Sequence, residues 1–343
     1  MTNRSIRVVD MHTAAEPVRI VEAGYPELRG ATILEKRGDA LARYDDLRRM
    51  LMLEPRGHSG MYGVIPTAPS DPSADLAVLF THQEGYSTMC GHATVALGRW
   101  AVDTGQVALV DGRARFGLEA PCGVVQVEVD ATGEGAPLVA FESVESFASY
   151  LDQTVDVPAI GSVTFDVAFG GAFYVILPSS RIGLSLMDTP LADLVQAGEA
   201  ITDAVRAALM ITHPTEPDLG FLYGTILTDD VPLGNHGGRP SYNLCIFAEG
   251  QIDRSPTGSG VTARIALAAA RGEMTIGQDC EIRGVSGEGF RGTLARSEQR
   301  GEGLASRVRV AGRSYYAART EFIAEPGDRF GDGFELPAKF ADL

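Results

Sequence analysis

Two stretches of this chain echo one another. Residues 90–105 read CGHATVALGRWAVDTG and residues 257–272 read TGSGVTARIALAAARG. Each opens with a short polar residue and a glycine. Each then runs on at helical length with almost no polar side chain on any face and with arginine as its only kind of basic residue. Each closes with glycine, Gly105 and Gly272, at the same offset, where a helix C′ glycine belongs. A helix that is apolar all round has no face to offer water and must be buried. Two such helices predict two similar halves, each wrapping a sheet around one central helix, with the polar helix starts facing a shared cleft. Glycine-bounded apolar helices also arise by chance, and the spacing alone does not separate the two readings.

The length permits such a pair: at roughly 100–200 residues per domain, 343 residues make two domains or one large one. A hydrophobic fraction of 45% with 22% charged residues excludes a disordered or fibrous chain. Lys and Arg total 29 against 45 Asp and Glu, a net charge of −16. That charge repels nucleic-acid backbones and anionic membrane surfaces, so neither is expected as a partner. The four cysteines, Cys90, Cys122, Cys245 and Cys280, form no CxxC pair and have no histidine at metal-ligand spacing, which argues against a disulfide scaffold or a zinc site. Free thiols, an N-terminus without a signal-peptide apolar core and the lack of any apolar run near the ~18 residues that span a bilayer predict a cytoplasmic protein.

Alternation of polar and apolar residues predicts strands over 6–12, 17–24, 74–83, 123–130, 163–177 and 241–251, and helical periodicity predicts helices over 40–52 and 191–209. The tract 65–75 reads as a loop.

Chemistry concentrates at the two helix starts. A helix N-terminus offers unpaired N–H groups and the positive end of a dipole, so Cys90 is expected to have a lowered pKa and to serve as base or nucleophile. The plain alternative, a small buried hydrophobe, fits Cys122, Cys245 and Cys280, which lie in or beside strand patterns. In DRSPTGSG (253–260), Thr257 opens the second helix. Backbone N–H groups of Gly91 and His92, and of Gly258 and Ser259, are suited to binding a carboxylate, because small residues let a ligand approach the backbone. A phosphate-binding turn or a simple N-cap explains the same glycines, although no Walker lysine follows.

Taken together, MCGHATVALG, DRSPTGSGVTARIAL, DMHTAAEPVRIV, EPRGHSGMYG (54–63) and AFGGAFY (168–174) resemble the proline racemase family over nearly the whole chain. The resemblance implies an α/β (α+β) fold like that of diaminopimelate epimerase: two pseudo-symmetric domains, each a curled, mostly antiparallel sheet around a central helix. It implies residues 1–148, with a C-terminal segment of about 325–343, as the half carrying Cys90, and residues 149–324 as the half carrying Asp253 and Thr257. Racemases of this family use two cysteines, one on each face of the substrate Cα. Here Cys90 stands in the first position and Thr257 in the second. A hydroxyl without an adjacent base does not exchange a proton as a thiol does, so the Cys/Thr pair resembles the family's dehydratase branch, which acts on trans-3-hydroxy-L-proline. Ala172, where racemases of the family often carry Asn, points the same way.

Stereochemistry accommodates the change. In trans-3-hydroxyproline the α-hydrogen and the 3-hydroxyl both lie opposite the carboxylate, hence on one ring face, so a single group can take the proton and help the hydroxide leave. Cys90 is expected in that role. By resemblance, Asp253 holds the ring ammonium, His92 binds substrate or orients the thiolate, and Gly91, Gly258 and Ser259 supply N–H donors to the carboxylate. Thr257 either hydrogen-bonds substrate or only fills the place of the lost thiol. Tyr62 and Phe247 match positions that pack over the ring but also read as plain core, and His58 lies near the cleft or merely pins a loop. His12, His82, His213 and His236 have no companions that suggest a metal. Scarce lysine and the lack of a strand–GxGxxG–helix unit predict no metal, nicotinamide or pyridoxal phosphate. The remaining readings are a proline or 4-hydroxyproline racemase or epimerase, and a non-catalytic binder of proline-like amino acids. A homodimer is left open.

Overall fold

The computed structural model describes residues 4–234, 237–248, 250–301 and 303–335. Its mixed α/β architecture is a large, curled, mostly antiparallel sheet system that encloses few helices. The helices are α1 (Ile33–Met52), α2 (Gly91–Asp103), α3 (Leu191–Ala208) and α4 (Gly258–Ala270).

The two echoing segments are helices α2 and α4, capped at Cys90 and Thr257. Gly105 and Gly272 follow their C-caps with φ of +73° and +71°, the left-handed turn that glycine adopts without a Cβ clash. Both helices are buried along nearly their whole length. Around α2 lie the strands Arg4–Thr13, Glu16–Ala23, Gly123–Asp130, Leu138–Glu142 and Ser314–Ala324. Around α4 lie Phe147–Val157, Gly161–Phe169, Phe173–Pro178, Gly289–Arg300 and Gly303–Gly312. Strand periodicity explains the fit. In Gly123–Asp130 the residues Val125, Val127 and Val129 are buried while their neighbours are partly exposed, so one face of the strand packs inward.

One ladder joins the strands around α4 to those around α2: Gly303–Gly312 pairs antiparallel with Leu138–Glu142, while Ser314–Ala324 pairs antiparallel with Arg4–Thr13 within the α2 group. One core cluster accordingly contains residues of both central helices, among them Val95 and Leu97 of α2 and Val261 and Ile265 of α4. The flanking helices α1 and α3 cover separate clusters.

The structure revises several element boundaries. Helix α1 begins seven residues before the expected 40–52, because Thr32 caps it by accepting the Glu35 N–H at 3.2 Å. The run 163–177 is a hairpin, broken at Gly170-Gly171. Gly171 has φ +104°, and a Cβ on Gly170 would lie 2.1 Å from the Ser259 carbonyl oxygen, so this turn presses on the first turn of α4. The run 241–251 ends as a strand at Phe247 and resumes over Gln251–Ile252. The loop expected over 65–75 starts only after the strand Tyr62–Thr67.

Candidate active site

Helices α2 and α4 meet start to start. A Cβ built on Gly91 would lie 2.3 Å from the Gly258 Cα, and one built on Gly258 would lie 2.4 Å from the Gly91 Cα. Only a pair of glycines lets two backbones approach that closely. The contact brings the positive ends of two helices, and the N–H groups that have no partner within the helix, to one place.

Beside this contact is a tight cleft of about 20 Å³ lined by Glu16, Tyr62, Met89, Cys90, Gly91, His92, Tyr174, Tyr223, Cys245, Phe247, Asp253, Thr257 and Ser259. Six of the seven expected site residues line it, and the seventh, Gly258, packs directly against the lining residue Gly91. A roomier groove bounded by His12, Arg291 and Tyr315 lies elsewhere, but its charged side chains are exposed, so size alone does not mark a site. Tyr62 and Phe247, read as core or ring cover, both face the cleft. His58 is exposed and pins its loop through a 2.8 Å contact with the Ser59 carbonyl. His82 and His213 pack among aromatic rings, and His12 stacks on Tyr315. His236 lies outside the described residues. Among the described residues no three His, Cys, Asp or Glu side chains converge as a metal site, and no helix is long and apolar enough to cross a membrane.

Cys90 caps α2, its Sγ accepting the Ala93 N–H at 3.4 Å. The same sulfur is 3.1 Å from Nδ1 of His92. Burial lowers the His92 pKa, so the ring is neutral. A neutral imidazole has one N–H; donated to the Pro17 carbonyl, it leaves the other ring nitrogen to accept from the thiol. The expected lowering of the Cys90 pKa is reversed. Burial pushes the thiol well above its ordinary range, and the nearby Asp253 and Glu16 carboxylates push it further, against the Ala93 N–H and Tyr62, which favour the thiolate. A helix start stabilises an anion by at most ~2 kcal/mol, whereas desolvating a charge costs several, so burial wins.

Asp253 faces this pair, with Oδ2 3.9 Å from His92 Nδ1, and its Oδ1 accepts the Ser255 N–H at 2.8 Å. Thr257 has φ +62° and ψ 102°, a conformation that a β-branched residue adopts only under strain of roughly 1–3 kcal/mol. Its hydroxyl is buried and makes no hydrogen bond, though it lies near enough to the Cys245 thiol to favour that thiolate. Ser259 Oγ lies 2.7 Å from the Tyr174 hydroxyl. The walls are aromatic: Tyr62 sits edge-on to His92 with centroids 5.0 Å apart, and Tyr223 stacks on Phe247 at 5.3 Å. Thr13 Oγ1 donates to the His92 carbonyl at 2.9 Å, fixing the first turn of α2.

Glu16, Tyr174, Tyr223 and Cys245 were not anticipated. Glu16 sits inside the quoted motif DMHTAAEPVRIV and was the readable signal, since a lone acid opening an apolar strand needs a partner. It accepts the Arg254 backbone N–H at 2.7 Å, with the guanidinium 3.3 Å away. Tyr174, Tyr223 and Cys245 sit in strands and read as ordinary core, and Met89, a fifth lining residue not anticipated, directly precedes the Cys90 cap.

This fold, two facing helix starts over an ionisable cleft, is shared with a solved epimerase and a solved probable proline racemase. The structure superposes on a hydroxyproline epimerase from Agrobacterium vitis solved with bound trans-4-hydroxy-L-proline. The TM-score is 0.89 over 97% of this chain and 95% of that one, at 23% identity. The proline racemase family model matches residues 8–335, and the chain belongs to that family. Among its relatives, the trans-L-3-hydroxyproline dehydratase of Xenopus tropicalis is 45% identical over 333 residues, 96% of this chain and 95% of the relative. The trans-3-hydroxy-L-proline dehydratase of Homo sapiens is 45% identical over 336 residues, 96% of this chain and 94% of the relative.

Proposed function

We propose that this chain removes water from trans-3-hydroxy-L-proline to give Δ1-pyrroline-2-carboxylate. The observation that carries the reading is 45% identity over nearly full length to dehydratases of that substrate. It is supported by the second helix start, which offers the hydroxyl of Thr257 instead of a thiol.

In this reading the ring ammonium pairs with Asp253, and the carboxylate takes N–H groups of Gly91, Gly258 and Ser259. That pairing neutralises one of the two carboxylate charges that oppose the Cys90 thiolate, and the thiol proton passes by way of His92 to solvent. The thiolate takes the α-hydrogen, the Cα–H electron pair forms the Cα=C3 double bond, and the C3–O bond breaks. The protonated Cys90 then supplies the proton that makes the leaving hydroxide water. The resulting enammonium moves one N–H proton to C3 and becomes the iminium, which gives its remaining N–H proton to solvent and becomes the imine. N–H groups aimed at the carboxylate stabilise the charge that spreads onto it as the α-hydrogen leaves. We place the enzyme in the cytoplasm, on its free thiols.

Incubation with trans-3-hydroxy-L-proline should give an imine trapped by 2-aminobenzaldehyde, while L-proline keeps its optical rotation. Racemisation of proline without loss of water from the hydroxylated substrate would instead make the chain a racemase. Cys90→Ser should lower kcat by at least ~10³-fold, because a hydroxyl is a far poorer base-nucleophile than a thiol at a buried site; near-normal turnover would remove Cys90 from the reaction.

A further inference from the structure

Thr257 is held in its unfavourable conformation by groups outside the cleft. Its own N–H donates to Ser255 Oγ at 3.1 Å, and the carbonyl of the preceding Pro256 accepts from Asn243 Nδ2 at 2.8 Å. These are the two ends of one peptide unit, so the Pro256–Thr257 plane is gripped from both sides; the next plane is held by the Val261 N–H, which donates to the Thr257 carbonyl at 2.7 Å, and the two planes together set the φ of Thr257. Asn243 is itself fixed. Arg264, two turns along α4, donates to Asn243 Oδ1 at 2.8 Å. Arginine only donates and a carbonyl only accepts, so the amide has one orientation that satisfies both. Asn243, Ser255 and Arg264 are all buried. Asn243 belongs to the strand Ser241–Phe247, which ties the grip to the sheet rather than to the loop it holds.

We propose that Asn243 is a positioning residue: its amide, locked by Arg264, clamps the Pro256 carbonyl and thereby keeps Thr257 at positive φ and the first turn of α4 aimed into the cleft. The catalytic consequence rests on the dehydratase reading above; the conformational one does not. Asn243 touches no lining atom through this contact and acts through Thr257 and the Gly258 and Ser259 N–H groups that follow.

The test is a double-mutant cycle. Asn243→Asp keeps an acceptor for Arg264 but loses the donor to Pro256. Thr257→Gly removes the need for a clamp, because glycine holds positive φ without strain. Amide hydrogen exchange over 256–262 should rise at least tenfold for Asn243→Asp in the wild-type background, and less than threefold in the Thr257→Gly background. The loss of kcat/KM for trans-3-hydroxy-L-proline should show the same pattern, each variant being compared with its own parent. Equal changes in the two backgrounds would overturn the proposal, because a merely structural amide is indifferent to residue 257. If Asn243→Asp does not fold, Arg264→Lys, which loosens the amide while keeping the charge, is run through the same cycle under the same criterion. A coupled exchange pattern in a protein that dehydrates nothing would keep the clamp and discard only the function.

Discussion

At the scale of single residues, the site depends on a contest at Cys90. Its backbone position favours a thiolate, and its burial together with Asp253 and Glu16 favours the thiol. The thiol prevails in the free enzyme, and this gives the pH dependence its sign. The base form is the thiolate and its pKa is raised, so the active fraction is small at neutral pH and grows with pH. Hence kcat/KM, which reports the free enzyme, should climb from neutral into the alkaline range, up to tenfold per unit, until the substrate ammonium required by Asp253 begins to lose its proton. A pH–rate profile checks this; a plateau already reached at pH 7 would contradict it. Asp253→Asn should weaken the climb by removing one opposing charge, while raising KM through loss of the ammonium partner. Cys90, His92, Asp253 and Thr257 were legible because each stands in a motif at a helix start. Cys245 was not, because the sequence of a strand does not say which of its two faces borders a cleft.

At the scale of elements, the decisive contact is the meeting of two helix starts through glycine alone. Gly258→Ala places a methyl 2.4 Å from backbone that has no flexible end to move aside, so the helices must separate. Overpacking of this kind costs about 1–3 kcal/mol, and a displacement near 1 Å in a catalytic constellation costs about 100-fold in rate. Gly258→Ala should therefore fold with a lowered Tm and lose about two orders of magnitude in kcat/KM; Gly105→Ala, whose site is open, should affect Tm without a comparable loss of activity. The helices themselves were readable from their apolar content and closing glycines. The hairpin break at Gly170-Gly171 was not, because FDVAFGGAFYVIL alternates well enough to pass for one strand. Its break is dictated by the Ser259 carbonyl pressing on Gly170 from a segment some ninety residues away.

At the scale of the whole molecule, the strands around α2 and α4 are joined by the ladder between Leu138–Glu142 and Gly303–Gly312, and a polar contact at the cleft adds to it. Arg254 donates its backbone N–H and guanidinium to Glu16 and a further N–H to the Gly60 carbonyl at 2.9 Å. Glu16 is almost fully buried, and burial with Asp253 nearby raises its pKa despite the arginine. Removing the partner of a buried charge costs about 3–5 kcal/mol; with the guanidinium a third exposed, roughly 2 kcal/mol is expected here. Arg254→Met should lower Tm by a few degrees and raise KM, because Arg254 adjoins Asp253, the proposed ammonium partner, and holds the Glu16 that lines the same cleft. Glu16→Gln should do less, since the neutral amide still accepts the Arg254 backbone N–H. Thermal melts and steady-state kinetics on the two variants decide the order. We draw the domain boundary near residue 149 as a working division, noting that Ser314–Ala324 pairs along Arg4–Thr13 and so lies with the first half.

The amino-acid order by itself determined the two buried helices, the residues that cap them and the family they signal. All of these rest on local properties: periodicity, capping chemistry and the φ preferences of glycine. Only the tertiary structure decided that the two starts touch, that Glu16 and Cys245 join the site, that Thr257 is strained and clamped, and that Cys90 is a thiol rather than a thiolate. Those outcomes depend on desolvation and on contacts between residues far apart in the chain, and neither quantity exists until the chain has folded.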